Sequence, residues 1–166
     1  MNNARKKIIY RLILLLLVVG VVFYSSSQPY TEQNIQPLLS ENLKLPDSVV
    51  ALLSKISFTY AGVEISVEAL GLPGFIEFFI RKGAHFSVYF VMAFILASIV
   101  RVWVQRAVKV TAITMGIVFL YACSDERHQS FTGNRTPLLH DVMIDTVGGL
   151  AGIGVYLLWR KYRKRR

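Results

Sequence analysis

Residues 81–100 read RKGAHFSVYFVMAFILASIV: a basic pair, then eighteen residues in which His85 is the one strongly polar side chain. A helix rises about 1.5 Å per residue, so roughly 20 mostly apolar residues cross a hydrocarbon core about 30 Å thick. Residues 102–104 lengthen this run, and three other segments share its character. Residues 12–24 are uninterrupted and extend back to Ile8. Residues 110–124 borrow Val108, with Lys109 reaching to the interface. Residues 142–159 carry one acid, Asp145. The pattern predicts an all-α, four-transmembrane-helix bundle with spans at about 8–24, 83–104, 108–124 and 142–159, as a single membrane domain over 1–166.

Composition points the same way. Of 166 residues, 54% are hydrophobic and 17% charged, and the mean hydropathy is +0.47. That is more apolar and less charged than an ordinary soluble domain, and it excludes disorder. The length suits one domain. A single cysteine, Cys123, excludes a disulfide framework and a multi-cysteine zinc site within the chain. The first span has a rival reading as a cleaved leader, with Arg5, Lys6 and Lys7 before it and Ser25, Ser26 and Ser27 after it. Residues 11–24 are long for a leader core and lack an alanine cleavage site, which favours a retained helix.

The charges orient the bundle. The segments before span one, between spans two and three and after span four hold 13 of the 19 basic residues and none of the ten acids. By the positive-inside rule both termini are cytoplasmic. The net charge of +9 therefore reads as a set of membrane anchors, with the tail from Arg160 touching membrane lipids rather than nucleic acid. Residues 25–82 and 125–141 are extracytoplasmic on this reading. Within the first, Pro46-Asp47-Ser48 opens a short amphipathic helix, and residues 58–65 form a hairpin turning near Gly62. Pro73 then starts a helix that carries Phe75, Phe78 and Phe79 into span two as interfacial anchors.

Ionisable groups in or near a bilayer are costly and each needs a partner or a role. Lys82, His85 and Tyr89 share one helical face at i, i+3, i+7. Asp125, Glu126, His128 and Gln129 crowd the end of span three, and Asp141 and Asp145 stack at i, i+4 in span four. Asp145 lies roughly 6 Å deeper than Asp141. Arg135, in the loop 132–137, offers a guanidinium fork for carboxylate or phosphate. The topology brings all of them to one leaflet. Taken singly, each has a bland reading: Arg81 pairs with Glu77, Asp145 pairs with Arg135 or Lys82, Asp141 caps a helix, His85 is a buried hydrogen-bonded histidine. Gly148 and Gly152 form a GxxxG pair suited to close helix contact, either within the chain or in a homodimer.

The strings 81–89 (RKGAHFSVY) and 124–131 (SDERHQSF), with Arg135, Asp141, Asp145, Gly148 and the Ser26-Ser27-Gln28-Pro29 after span one, resemble the VanZ-like family of bacterial membrane proteins. The resemblance runs from about span one to Gly152. It implies a cell-membrane, envelope-protecting role, the family's namesake being linked to low-level teicoplanin resistance. The family often has asparagine where this chain has Asp145.

Three functions stay open. In the first, the polar site binds a lipid-linked or anionic envelope molecule, with Lys82 and Arg135 holding its phosphate or carboxylate while Glu126 and Asp145 orient them; Gln129, Asp125 and Asp141 complete the binding set. In the second, the protein is a membrane-embedded hydrolase or transferase with Lys82, His85, Glu126, His128 and Asp145 as catalytic candidates. No Gly-x-Ser-x-Gly elbow supports it. The third is transport, for which four spans are few and broken midplane helices are missing. No cofactor and no metal site is assigned; a metal variant would draw on His85, His128, Glu126 and Asp141, without an H-E-x-x-H motif to support it.

Overall fold

The computed structural model describes residues 3–132 and 138–165. In chain order come α1 (Asn3–Ser27), a 3₁₀ turn (Tyr30–Gln33), α2 (Gln36–Asn42), α3 (Asp47–Leu53), β1 (Ser57–Tyr60), β2 (Val63–Ser66), α4 (Val67–Val100), α5 (Ala107–Gln129) and α6 (Leu139–Arg165). Helices α1, α4, α5 and α6 are each long and apolar enough to cross a membrane. The four expected spans fall on them, with one difference at each end of the second. α4 starts sixteen residues earlier than the apolar run, at an N-cap where Ser66 Oγ accepts from the Ala69 N–H (3.0 Å). It ends at Val100 rather than continuing to residue 104. There Arg101 caps the helix, and its guanidinium donates to the carbonyls of Val104 (3.2 Å) and Gln105, folding the chain back.

Gly71 interrupts α4 with φ 69° and ψ 163°, a conformation that a side chain would strain, and Pro73 restarts the helix just beyond it. Ahead of this break, β1 and β2 pair antiparallel with Ser57 opposite Ser66 and Tyr60 opposite Val63. The connecting residues Ala61 (φ 52°) and Gly62 (φ 83°) are both left-handed, the tight turn that matches strand twist. Phe58 and Tyr60 set their rings edge-on to Phe78, which fastens the hairpin to α4.

α4 and α6 run in the same direction, and the glycines of α6 decide how closely. A Cβ on Gly148 would collide with the carbonyl of Phe86, and one on Gly152 with the carbonyl of Phe90. Between lipid-embedded helices there is no hydrophobic drive to associate, so close backbone approach and polar contacts do the holding. This glycine face is thus occupied inside the chain. Tyr89, Met92, Ala93, Ala97, Val118, Ala122, Ile153 and Tyr156 fill the space between α4, α5 and α6.

α1 is the loosest of the four. It buries one stripe, with Leu15, Val18, Val19 and Val22 on the core, and leaves Leu16, Leu17, Val21 and Phe23 exposed. Arg11 Nη1 donates to Ser98 O (2.9 Å), and Tyr121 Oη donates to Val19 O (3.1 Å). α1 and α5 therefore run together, and the basic segments at the start of α1, between α4 and α5 and at the end of α6 share one end of the bundle. The hairpin and the acid-rich segments lie at the other.

Candidate functional site

Two contacts link α4 to α6 at the hairpin end. Lys82 pairs with Asp141, and one turn along, His85 Nδ1 lies 3.3 Å from Asp145 Oδ1. The i, i+3 spacing on α4 meets the i, i+4 spacing on α6 because the glycine packing fixes the rotation of α6 against α4. The upper contact is a small cage. The Tyr60 hydroxyl donates to the same Asp141 oxygen, and the Lys82 ammonium sits 4.7 Å from the centre of the Tyr60 ring. Burial pushes the Tyr60 hydroxyl well above the ordinary tyrosine range, and the Asp141 carboxylate it donates to pushes it further. Tyr60 stays a donor at neutral pH.

The lower contact is deeper. Asp145 is fully buried, and its Oδ2 has no hydrogen-bond partner among the described residues. Tyr89 is equally buried beside it. From α5, Asp125 comes to the same place, where Ser26 Oγ donates to one of its oxygens and Gln129 Nε2 to the other (3.1 Å). Donor atoms of His85, Asp125 and Asp145 lie within 4.8 Å of one another. Glu126 is buried next to this group; its Oε2 accepts from the Leu138 N–H (2.9 Å), while Oε1 has no partner among the described residues.

The expected site residues therefore fall into two adjoining clusters, Lys82 with Asp141, and His85 with Asp145, Asp125 and Gln129, with Glu126 alongside. His128 stands apart: its ring stacks on Phe23 of α1, centroids 4.6 Å apart. With Asp141 engaged by Lys82, the four residues of the metal variant do not converge; the group that does is His85, Asp125 and Asp145. Arg135 lies outside the described residues. Asp145 meets His85 rather than Lys82.

A cavity of about 540 Å³ opens beside the deeper cluster, between α1, α4 and α5. Val21, Val22 and Val88 line its apolar part, and its polar part includes Ser26, Glu32, Arg81, His85 and Asp125. The i, i+4 spacing predicts that Arg81 pairs with Glu77. Instead, buried Glu77 accepts from the Gln36 side chain (2.7 Å), the Tyr30 hydroxyl (3.1 Å) and the Ile35 N–H (3.3 Å). Burial and this carboxylate raise the Tyr30 hydroxyl above its ordinary value. Arg81 lies over the Tyr30 ring, 4.8 Å from its centre, and its buried Nη1 has no hydrogen-bond partner among the described residues. Sequence reasoning missed Arg81 and Ser26 as cavity residues. The i, i+4 acid offered Arg81 a local partner, and nothing local says that residues 30–36 fold back to claim it.

Chemically, the site offers an imidazole held by a carboxylate, with a guanidinium nitrogen and carboxylate oxygens that have no hydrogen-bond partner among the described residues. Comparison with curated proteins and with solved structures gives no match. The VanZ/LLP1 family model matches residues 11–160, which takes in both clusters, α4 and α5 whole and most of α1 and α6. The chain belongs to the VanZ/LLP1 family.

Proposed function

We propose that this chain is a multi-pass protein of the bacterial cell membrane whose cavity faces the extracytoplasmic side and binds a lipid-linked anionic envelope molecule, lowering susceptibility to teicoplanin. The orientation follows from the clustering of the basic segments at the opposite end. The observation that carries the binding role is the cavity itself. An apolar wall of Val21, Val22 and Val88 suits a lipid chain, and Arg81, which lines the same cavity and whose Nη1 has no hydrogen-bond partner among the described residues, suits a phosphate or carboxylate. Arg81 takes the place that the sequence offered to Lys82, since Lys82 is engaged by Asp141 and Tyr60.

The functional test is teicoplanin susceptibility of a sensitive host expressing wild type or Arg81→Gln at matched membrane levels, with vancomycin in parallel. Protection by wild type and its loss in the variant is the expected result. Equal protection by both, or none by wild type, removes the reading.

The His85–Asp145 contact favours a second reading, a membrane-embedded hydrolase or transferase. A carboxylate that orients an imidazole is the arrangement of a general base. Product formation from a lipid-linked substrate, abolished by His85→Gln, distinguishes it from binding alone.

A further inference from the structure

His85, Asp125 and Asp145 come from three different helices, α4, α5 and α6, yet a donor atom of each lies within 4.8 Å of the other two. Asp145 is fully buried and Asp125 is 5% exposed. Two carboxylates this close in a low-dielectric interior repel each other unless a proton or a cation stands between them. Among the described residues neither is ion-paired to a lysine or arginine; Lys82, one turn away, is taken by Asp141. The Oδ2 of Asp145 has no hydrogen-bond partner there, so the buried acid has acceptor capacity that the described residues do not use.

We propose that His85, Asp125 and Asp145 bind one divalent first-row transition-metal ion, with zinc the best match, at the inner wall of the cavity. One imidazole and two carboxylates form an N/O donor set for a borderline ion rather than for magnesium or calcium, which take oxygen alone. Two donors about 2.0–2.1 Å from a tetrahedral zinc ion stand roughly 3.3–3.4 Å apart. His85 Nδ1 and Asp145 Oδ1 are already 3.3 Å apart, and the other separations, within 4.8 Å, narrow to that value as the side chains close on the ion. The outer support that metal-binding carboxylates require is present: Ser26 Oγ and Gln129 Nε2 each donate to Asp125, whose oxygens keep further lone pairs for an ion. His85 and Asp125 also line the cavity, which leaves the fourth position to water or to an oxygen of a cavity ligand. The site does not depend on that ligand being a lipid phosphate.

The test uses the full chain purified in detergent, stripped with a chelator and titrated with Zn²⁺ by calorimetry and with Co²⁺ by visible absorption. One ion per chain is expected, with affinity weakened at least about tenfold by Asp145→Asn and by His85→Gln, and unchanged by Cys123→Ser and by His140→Gln, whose ring lies against Tyr60 outside the cluster. No saturable binding overturns the proposal. So does equal affinity in Asp145→Asn, which places the ion elsewhere. Should the variants fail to fold, wild type decides alone: a Co²⁺ spectrum that remains that of the hydrated ion overturns the site, and a low-coordinate spectrum supports it. Thermal stability indifferent to Zn²⁺, together with a more stable Asp145→Asn, identifies a shared proton instead and also overturns it.

Discussion

His85 Nδ1 lies 3.3 Å from Asp145 Oδ1, one helical turn along from the pair of Lys82 and Asp141, so α4 and α6 are joined by two polar rungs. The rungs differ in depth. The upper carries a lysine and a tyrosine and is partly exposed, at 19% for the Lys82 side chain and 15% for Asp141. The lower ends on a carboxylate with no exposure at all. Removing one partner from a rung leaves the other without compensation in a poorly solvated place, which is costlier than never having had the pair.

Lys82→Met is therefore expected to destabilise the protein by about 1–3 kcal/mol and to loosen the hairpin, because Lys82 joins Asp141 to the Tyr60 ring. Thermal unfolding in detergent measures the first effect. Faster proteolysis within residues 57–66 measures the second; unchanged cleavage there would mean that Phe58 against Phe78 holds the hairpin alone.

Tyr60→Phe adds a pH dependence. Burial first and Asp141 second raise the Tyr60 hydroxyl above its unfolded value of about 10. Its contribution is thus fully present below pH 10 and is lost as pH rises past 10 towards the folded value. The stability difference between wild type and Tyr60→Phe should be flat from neutral pH to about 10 and shrink above it. A difference that shrinks already near pH 8 would contradict the placement.

The α4–α6 contact separates the glycines of α6. Gly152→Ala forces a methyl against the Phe90 carbonyl, a backbone atom that cannot move alone, whereas a methyl at Gly154 meets open space. Gly152→Ala should cost about 1–3 kcal/mol and weaken both rungs, and Gly154→Ala should be neutral or slightly stabilising. Melting curves of the two variants side by side check this.

Glu77 is the anchor of the segment that closes the cavity beside Arg81. It accepts three hydrogen bonds from residues 30–36 while 2% exposed. Glu77→Ala should cost about 1–3 kcal/mol and make residues 28–42 protease-sensitive, whereas loss confined to α4 would argue against this folded-back segment.

Much of this architecture is legible in the sequence, and the illegible part has one physical cause. Apolar runs reveal the four spans, a Gly62 turn reveals the hairpin, and Pro73 marks a helix restart, because each is a property of neighbouring residues. The spacing of Lys82 with His85, and of Asp141 with Asp145, likewise assigns faces. Which acid meets which base depends on the rotation of α6 on α4, and that is set where Gly148 and Gly152 meet the backbone at Phe86 and Phe90. The same applies to Ser26 with Asp125, 99 residues apart, and to α2, which is too short to show a helical period and is held by Glu77 through Gln36. His128, grouped with the site by its neighbours in sequence, stacks instead on Phe23 of α1, a contact between distant residues that no local pattern reports.

Binding of a polyprenyl phosphate to the full chain in detergent, measured by calorimetry for wild type and Arg81→Gln, tests the central claim most directly. Saturable binding at one site per chain is expected, weakened about 10–100-fold in Arg81→Gln, as loss of a charge-assisted hydrogen bond worth about 1.5–3 kcal/mol requires. Equal affinity of the two proteins, or no saturable binding by wild type, would contradict it.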